Sequence, residues 1–303
     1  MHVKTLGVDR KPYIVAGIPA YNEEMTIAKV VLKVKRYVDK VIVCDDGSTD
    51  MTSQIAGAVG AEILRNERNT GKGSAIRKLF ERAKEEGADV MITIDADGQH
   101  DPDEIPKLLK MMFETDADIV VGSRFLNRES IKKVPRYRYL GNRFLNLLTP
   151  VKNITDTQSG FRAYSKRAIE RISPSETGFA VDSEILYKAV NCGLKIVEVP
   201  INVEYNVPNS LKRNPISHGF DVTLSLIKMI SMRHPLAFYG IPGSISLIVS
   251  ILTGLTLLHE FNITRYFSLT LATMFLGFGM ITTILCSTAL ILWVLTTTLR
   301  EKS

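Results

Sequence analysis

Two long uncharged segments near the C-terminus place the strongest limit on how this chain can fold. Leu236–Leu258 and Leu269–Leu299 carry no Lys, Asp or Glu. Each is long enough for a helix to cross a hydrocarbon core, which takes roughly 20 apolar residues. The sequence therefore predicts a two-span transmembrane hairpin over residues 235–300, in contact with membrane lipid. The hairpin is also where we expect any homo-oligomer to form.

The distribution of basic residues predicts how this hairpin is oriented. The link 259–268 contains one firmly basic residue, Arg265, whereas Lys228 and Arg233 precede the first span and Arg300 follows the second. Basic residues are enriched on the cytoplasmic side of membrane helices. We therefore expect the preceding domain and both termini to be cytoplasmic. The N-terminus has no apolar leader that would direct secretion.

The residues before the hairpin divide into two parts. Residues 1–205 alternate short apolar runs with charged amphipathic segments, as in a soluble domain. Residues 206–234 form a juxtamembrane segment, in which Phe220–Met232 fits an amphipathic helix that lies either in the membrane interface or on the soluble domain. The net charge of +6 is modest for a nucleic-acid binder, and the basic residues near Lys132–Arg143 suit anionic lipid better. We expect no nucleic-acid partner.

Strand and helix patterns alternate along the first domain. Strands are predicted at Tyr13–Ile18, Lys40–Cys44, Glu62–Arg65, from Val90 and at Ile119–Val121. Helices are predicted at Met51–Val59, Gly73–Glu86 and Asp103–Glu114. This α/β alternation is typical of a mainly parallel sheet with helices on both faces. Further elements are predicted at Pro135–Leu148 (helix), Gly160–Ser165 (strand), Asp182–Asn191 (helix) and Lys195–Pro200 (strand).

Polar and acidic side chains follow four of the predicted strands. The groups are Tyr21-Asn22-Glu23, Asp45-Asp46, Asp95 with Asp97, and Ser123-Arg124. In open α/β sheets, ligands bind beyond the carboxyl ends of the strands. We therefore expect these groups to share one edge of the sheet. Asn22 is also suited to cap a following helix.

Asp95 and Asp97 are the most informative of these residues. Side chains at positions i and i+2 of a strand point the same way, so the two carboxylates can converge on one cation. The dipeptide Asp97-Gly98 is also a natural turn, and the stretch alone fits a turn equally well. With the other strand ends beside it, the pair suggests Mg²⁺ or Mn²⁺ held by oxygen ligands on a diphosphate.

Asp45-Asp46 and Lys72 each have two readings. The carboxylates are placed to accept hydrogen bonds from a ribose or base, or else they form an Asx turn and helix cap. Lys72, in the loop Asn69–Ser74, either meets phosphate at a helix start or is a solvated loop residue. His100 follows a turn, and nothing in the sequence makes it catalytic.

Seven motifs in order give the chain a family resemblance. They are Pro19-Ala-Tyr21-Asn22-Glu23, Asp45-Asp46-Gly-Ser-Thr-Asp50, Gly71-Lys72-Gly73, Asp95-Ala-Asp97-Gly-Gln99-His100, Gly122-Ser123-Arg124, Ser159-Gly160-Phe161-Arg162 and Glu198-Val199-Pro200. Over residues 13 to about 205 the chain resembles the family 2 glycosyltransferases of GT-A fold. Within that family it most resembles the dolichyl-phosphate or polyprenyl-phosphate mannose and glucose synthases.

This resemblance implies transfer of a hexose from a UDP- or GDP-linked sugar to a polyprenyl or dolichyl phosphate, with inversion. It implies a metal held by Asp95, Asp97 and Gln99. It implies nucleotide-sugar contacts at Pro19, Tyr21, Glu23, Asp45, Asp46, Lys72, Asp95 and Ala96. Arg124 would face the phosphates, and Arg138 and Asn142 match the part of the family that grips the acceptor phosphate, although the family often has Ser where Asn142 stands.

A phosphate acceptor simplifies the expected chemistry. A hydroxyl acceptor must lose a proton during attack, whereas a phosphate is already an anionic nucleophile. Catalysis then depends on alignment and on cationic stabilisation of the leaving diphosphate, for which we expect Asp97, Arg124 and Asp182 to matter most. Asp182 and Glu184 lie where related enzymes place a base, and they fit either sugar orientation or a helix start.

Three other functions remain open at this level. A processive polysaccharide synthase usually shows a Gln-x-x-Arg-Trp motif, but the only Trp here is Trp293, within the second span. A transferase to a hydroxyl group of a polysaccharide, protein or lipid would use Asp182 as its base. A membrane-anchored protein that binds sugar nucleotides without turnover would keep the same site and form no lipid product.

Overall fold

The computed structural model describes residues 10–126, 154–178, 181–204 and 235–301, together with Ser231. The chain divides into two compact units, Met1–Thr223 and Leu224–Ser303. The helix predicted at Pro135–Leu148 lies outside the described residues, as does Phe220–Met232 apart from Ser231.

The first unit contains a seven-stranded sheet in the order β3-β2-β1-β4-β6-β5-β7. The strands are β1 (Ile14–Ala20), β2 (Lys40–Asp45), β3 (Glu62–Arg65), β4 (Val90–Thr93), β5 (Ile119–Ser123), β6 (Arg162–Ser165) and β7 (Ile196–Pro200). All paired neighbours run parallel except β6, which is antiparallel to both β4 and β5. The predicted α/β class and mainly parallel sheet are confirmed. The opposite direction of β6 was not predicted from the sequence.

Helices cover both faces of this sheet. They are α1 (Ile27–Val34), α2 (Thr52–Ala58), α3 (Lys72–Glu85), α4 (Ile105–Thr115), α5 (Lys166–Arg171) and α6 (Val181–Asn191), with a short 3₁₀ turn at Pro102–Glu104. Because side chains alternate along a strand, Ala16 and Ile18 of β1 pack in the layer with α1, α2 and α4. Val15 packs in the opposite layer with α3, α5 and α6. The predicted helices within the described residues therefore form close to their expected positions.

The segment after β1 differs from the prediction that Asn22 caps a helix. Helix α1 begins at Ile27, and Thr26 precedes it without a side-chain capping bond. Asn22 instead adopts the left-handed conformation, with φ of 55°. Its side-chain oxygen accepts a hydrogen bond from the Thr49 amide at 2.9 Å. Asn residues tolerate this conformation because their short side chain can bond locally.

The second unit is helical in the part that the structure describes. It comprises α7 (Pro235–Phe238), α8 (Gly240–Thr264) and α9 (Leu269–Glu301). Residues Pro235–Thr264 and Leu269–Thr297 are long and apolar enough to cross a membrane, with mean hydropathies of 1.9 and 2.1 over an 18-residue window in each. The connection is shorter than the predicted link 259–268, because α8 continues through Thr264 and leaves only four residues before α9.

Small and hydroxyl-bearing residues hold α8 and α9 together. The Ser246 and Ser250 hydroxyls each donate to a backbone carbonyl of α9, on Phe278 and Phe275, at 2.9 Å. Gly243 lies so close to α9 that a Cβ there would be 2.8 Å from the Cys286 sulfur. Close approach at small residues and interhelical hydrogen bonds are typical of helix pairs in lipid.

Candidate functional site

The turns that follow β1 and β2 interlock at one edge of the sheet. Ser48 accepts a hydrogen bond from the Asn22 amide at 2.9 Å, and Thr52 accepts one from the Glu23 amide at 2.8 Å. Pro19 is buried in β1, while Tyr21 is exposed at the tip of the first turn. Since β1 and β2 are parallel, this contact joins two of the predicted strand-end groups.

Asp45 is a structural residue of the β2 turn. Its side chain is fully buried, accepts from the Ser48 amide at 2.9 Å and from the Ser53 hydroxyl, and lies 3.6 Å from the Arg65 guanidinium. A carboxylate surrounded in this way cannot reach a ribose or base without breaking the turn. These contacts agree with the turn-and-cap reading that the sequence left open, and a nucleotide contact by Asp45 stays a prediction.

Asp46 organises the loop that leads to α3. One carboxylate oxygen accepts from the Asn66 side-chain amide at 2.7 Å and from the Thr70 amide at 3.0 Å. The other accepts from the Gly71 amide at 2.7 Å. The residue is 3% exposed, so these donors replace the water that its charge would otherwise bind. Asp46 therefore sets the position from which Lys72 begins α3.

Asp95 and Asp97 follow β4 at the same edge. The Asp97 carboxylate accepts from the Gln99 amide at 2.9 Å, and Gly98 between them has φ of 70°. The turn predicted from Asp97-Gly98 therefore exists, and it presents the acidic pair. Ala96, which separates them in sequence, is buried in the hydrophobic core. Asp95 packs on Gly160, where an added Cβ would be 2.5 Å from a carboxylate oxygen.

Lys72 joins Asp95 to Asp182. Its ammonium lies 2.8 Å from the Asp95 carboxylate and 3.0 Å from that of Asp182. Burial would lower the pKa of Lys72, but the attraction of the two carboxylates outweighs it and raises the pKa above its usual value. The same ammonium outweighs burial at Asp95 and lowers the pKa of that carboxyl. Burial raises the pKa of Asp182, with Lys72 opposing it.

A loop between α5 and α6 clamps the backbone of Lys72. The Gly73 amide donates to the Thr177 carbonyl at 2.8 Å, and a Cβ on Gly71 or Gly73 would overlap the backbone at 176–177. Glu184 holds this loop by accepting from the amides of Ser175 and Glu176. Its carboxylate is directed to the loop, so these contacts do not indicate a sugar-orienting role. No motif in the sequence indicates this contact between the loop and Lys72.

Arg124 is held by Asp156, a residue that sequence reasoning missed. Two guanidinium nitrogens of Arg124 each lie 2.7 Å from an Asp156 oxygen, in a bidentate ion pair. Glu198 fixes the backbone beside it by accepting from the amides of Thr155 and Asp156 at 2.8 and 2.9 Å. The motif Glu198-Val199-Pro200 was visible in the sequence, but its partners are more than forty positions away.

Two further polar residues are buried near the acidic pair. Arg162 is fully buried and donates to the backbone carbonyls of Asp182 and Thr157 at 2.7 and 2.9 Å. His100 packs on Phe161, with ring centroids 5.5 Å apart, and burial lowers its pKa to about 4. Its Nδ1 makes no hydrogen bond within the part of the chain that the structure describes. Both side chains are buried, and these contacts give no indication of a catalytic role for either residue.

The sheet edge therefore unites Pro19, Tyr21, Glu23, Asp46, Lys72, Asp95, Asp97 and Arg124 of the predicted set. Arg138 and Asn142 lie outside the described residues. A sequence model of glycosyl transferase family 2 matches residues 16–173, which contain most of this edge. The chain belongs to glycosyl transferase family 2.

Relatives support the same assignment. The chain is 34% identical over 223 residues to an uncharacterized protein of Methanocaldococcus jannaschii, covering 72% of this chain and 92% of that protein. It is 33% identical to a UDP-N-acetylglucosamine–dolichyl-phosphate N-acetylglucosaminyltransferase of Methanococcus voltae, covering 73% and 96%. It is 30% identical to the polyprenol monophosphomannose synthase of Mycolicibacterium smegmatis, covering 61% and 74%.

Solved structures share the fold of this family 2 glycosyl transferase. Glucosyl-3-phosphoglycerate synthase from Mycobacterium tuberculosis matches with a TM-score of 0.57 and 23% identity over 72% of this chain and 79% of that one. The same enzyme in complex with Mn²⁺, uridine diphosphate and phosphoglyceric acid matches with a TM-score of 0.56 and 22% identity, over 72% and 78%. The predicted GT-A fold is confirmed.

The donor atoms of this family 2 glycosyl transferase fit a hard divalent cation. Among the described residues, no group of three or more His, Cys, Asp or Glu side chains is arranged to hold a metal alone. Mg²⁺ typically combines one or two carboxylates with substrate phosphates, which is the share that Asp95 and Asp97 can supply. Burial and the charge of Asp95 raise the pKa of Asp97 to about 6. A cation bound nearby would stabilise the ionised carboxylate.

Proposed function

We propose that this protein transfers a sugar, with inversion, from a nucleoside diphosphate sugar to a polyprenyl or dolichyl phosphate at a membrane. Support comes from relatives that are named for transfer to dolichyl phosphate and for polyprenol monophosphomannose synthesis. The two apolar helices of the second unit fit a protein that meets a lipid acceptor.

On the donor side, Asp95, Asp97 and the Gln99 side chain would hold Mg²⁺ or Mn²⁺. When bound, the cation would neutralise charge on the leaving diphosphate. Pro19, Tyr21, Glu23 and Asp46 would surround the nucleotide, with Lys72 and Ala96 beside its phosphates. Asp97 and Arg124 then carry the electrostatic part of catalysis, which is usually the largest single contribution.

The observation that carries the choice of acceptor is the ion pair of Asp182 with Lys72. A hydroxyl acceptor would require a carboxylate to take its proton, and Asp182 is the candidate. Its carboxylate lies 3.0 Å from the ammonium and is 6% exposed, so an acceptor hydroxyl would have to reach it past Lys72. A phosphate acceptor needs no such base. The contact therefore favours a phosphate over a hydroxyl group.

On the acceptor side, Arg124, Arg138 and Asn142 would bind the lipid phosphate. Asp156 holds Arg124 in its bidentate geometry, so the guanidinium is oriented before either substrate arrives. Such preorganisation removes the need to order a long side chain during the reaction. We assign Asp156 as a positioning residue for Arg124.

The proposed catalytic domain comprises residues 1–205. It is followed by a juxtamembrane segment at 206–234 and by the hairpin at 235–300, which would attach the protein to the membrane. The catalytic domain and both termini would be cytoplasmic, following the basic residues that flank the spans. A homo-oligomer formed through the hairpin belongs to the same proposal. A Ser268→Cys variant that lacks Cys44, Cys192 and Cys286 tests the orientation, by labelling of the introduced thiol from either side of sealed vesicles.

The sugar is proposed to be a hexose or an N-acetylated hexosamine. The relatives are named for mannose and for N-acetylglucosamine, while glucose and mannose follow from the motif resemblance. Membranes that contain the protein should convert a labelled UDP-glucose, UDP-N-acetylglucosamine or GDP-mannose, with dolichyl or undecaprenyl phosphate, into a solvent-extractable glycolipid.

Chelation should abolish this product, and mass spectrometry should identify the sugar. Membranes that carry the Asp97→Asn variant provide the matched control for background synthases. Product formation from a free alcohol in place of the lipid phosphate would move the assignment to a hydroxyl acceptor. Failure with every common donor would refute the proposal.

A further inference from the structure

Lys72 forms an ion pair with Asp95, the same carboxylate that the proposed cation would bind. Its ammonium lies 2.8 Å from Asp95 Oδ1, and the side chains of Lys72 and Asp95 are only 12% and 26% exposed. Gly160 also packs against the Asp95 carboxylate, where a Cβ would be 2.5 and 2.7 Å from the two oxygens, so Asp95 has little room to turn away. A second cation on this carboxylate would lie next to the ammonium in a poorly solvated site. Adjacent like charges repel strongly under these conditions.

The backbone of Lys72 cannot relieve this conflict. Gly71 and Gly73 are packed against the backbone at 176–177, and the Gly73 amide is bonded to the Thr177 carbonyl. Only the four-carbon side chain is able to move. Asp182, fixed in α6 by its backbone bond to Arg162, offers the ammonium a second partner at 3.0 Å.

We infer that Lys72 is a built-in counter-cation, which keeps a divalent metal from binding Asp95 tightly until a nucleoside diphosphate arrives. The inference rests on the proposed function, because it takes Asp95 as a metal ligand. The diphosphate brings negative charge that compensates the metal and the ammonium together, so both can then stay. Metal and nucleotide binding are thereby coupled, and by linkage each strengthens the other equally.

Asp182 is the positioning residue of this device. While the metal binds Asp95, Asp182 keeps the ammonium within reach of the phosphates. Without its carboxylate, Lys72 is left with Asp95 alone and competes more strongly with the metal. The structure thus assigns opposite effects to the two residues: removal of Lys72 should tighten metal binding to the nucleotide-free protein, and removal of Asp182 should weaken it.

The test measures Mn²⁺ binding to the full-length protein in detergent, by the loss of the free Mn²⁺ paramagnetic resonance signal. Binding is titrated without nucleotide and then with saturating UDP or GDP. In the wild type, we expect nucleotide to tighten Mn²⁺ binding on the order of tenfold or more. In Lys72→Gln, Mn²⁺ should bind roughly tenfold more tightly without nucleotide, and most of the nucleotide effect should disappear.

Two controls separate direct competition from a general charge effect. Lys33 also bridges two carboxylates, those of Asp101 and Asp103, at 2.9 and 3.1 Å. Lys33→Gln removes the same charge without freeing Asp95, so it should leave Mn²⁺ binding unchanged. The effect of Lys72→Gln should also persist at 0.5 M salt, where long-range effects are screened.

A double-mutant cycle supplies the second variant. Asp182→Asn should weaken Mn²⁺ binding several-fold when Lys72 is present, and by much less in the Lys72→Gln background. Lys72→Arg keeps a cation and should preserve the fold if Lys72→Gln does not. Because it restores the counter-cation, its Mn²⁺ affinity without nucleotide should stay at or below that of the wild type.

The outcomes distinguish this inference from the proposed function. If the wild type binds Mn²⁺ with nucleotide but a folded Lys72→Gln variant binds it no more tightly without nucleotide, the counter-cation role is wrong and the proposed metal site stands. Equal effects of Lys33→Gln and Lys72→Gln would also overturn it. If the wild type binds no Mn²⁺ under any condition, the metal site itself is wrong, and both ideas are lost.

Discussion

Two acidic pairs lie at the same edge of the sheet, and their surroundings differ sharply. The carboxylates of Asp45 and Asp46 are buried among backbone amides, hydroxyls and a side-chain amide, with Arg65 at 3.6 Å the charged neighbour of Asp45. Asp95 is paired with an ammonium, and among the described residues Asp97 accepts one hydrogen bond, from the Gln99 amide. The protein's own donors hold the first pair, whereas the second pair has fewer donors around it.

This comparison shows why an acidic strand end is not by itself a binding site. Carboxylates that accept several well-placed amides are held in place by the protein, and their removal should cost stability. Carboxylates that lie side by side with few donors repel each other and favour a cation. The distinction depends on the donors that surround each pair, which come from elsewhere in the chain.

The largest effect should come from Asp97→Asn. Activity should fall about a thousandfold, because the amide cannot hold a hard cation against the diphosphate. The raised pKa of Asp97 means that its ionised form is unfavourable in the fold, so the neutral amide should leave stability unchanged or higher. Glycolipid synthesis and thermal unfolding should be measured on the same preparation. If Asp97→Asn lost stability as well as activity, Asp97 would have a structural role like that of Asp45 and Asp46.

Asp46→Ala should give the opposite pattern. The side chain accepts from Asn66, Thr70 and Gly71, and its removal leaves these buried donors unsatisfied. We expect a loss of about 3 kcal/mol in the free energy of unfolding, measured by denaturant titration in detergent. Any loss of activity should be accompanied by this loss of stability. An inactive Asp46→Ala protein of wild-type stability would show that Asp46 mainly binds ligand.

Gly160→Ala tests whether the position of the Asp95 carboxylate matters, without changing any charge. The added Cβ would be 2.5 Å from an Asp95 oxygen and must push the carboxylate aside. A displacement of about 1 Å at a catalytic group can cost about a hundredfold in rate, and we expect a loss of that order. Gly178→Ala is the matched control, because a Cβ there meets nothing within 4 Å among the residues that the structure describes. Similar rates for the two variants would mean that the position of Asp95 is unimportant.

Asp156→Asn should produce the smallest effect, and it should depend on pH. Burial would raise the pKa of Asp156, but Arg124 outweighs it and lowers the pKa below the usual value. The carboxylate therefore contributes stability above its unfolded pKa of about 3.9, and this contribution is lost as the pH falls through the lower folded value. The variant should be about 2 kcal/mol less stable at pH 7. Thermal unfolding across pH 3–8 should show the difference shrinking below about pH 4.

Periodicity and strand-end chemistry were sufficient to predict much of the edge. The positions of β1, β2, β3 and β5 followed from short apolar runs, and Asp95-Ala96-Asp97 lies where the pattern put it. These features depend on neighbours in sequence, which is why a sequence displays them. The excess length of α8 was hidden because His259 and Glu260 interrupt the apolar pattern without ending the helix.

Contacts between distant segments could not be predicted in the same way. Lys72 and Asp182 are 110 positions apart, and no local rule pairs them. The role of Asp156 depends on Arg124, 32 positions earlier. The reversed direction of β6 gave no signal, because a four-residue strand has the same alternation whichever way it runs. The contacts of Asp45 likewise required the turn to be seen in three dimensions.

The placement of β6 also determines when the middle of the sheet can close during synthesis of the chain. This strand lies between β4 and β5 but is translated after both, so the growing chain exposes the edges that β6 later covers. Open strand edges invite pairing with other chains. Arg162 begins β6 and bonds to the Asp182 carbonyl only 20 positions later. The segment that fills the gap between β4 and β5 and the segment that completes the Lys72 ion pairs therefore leave the ribosome almost together.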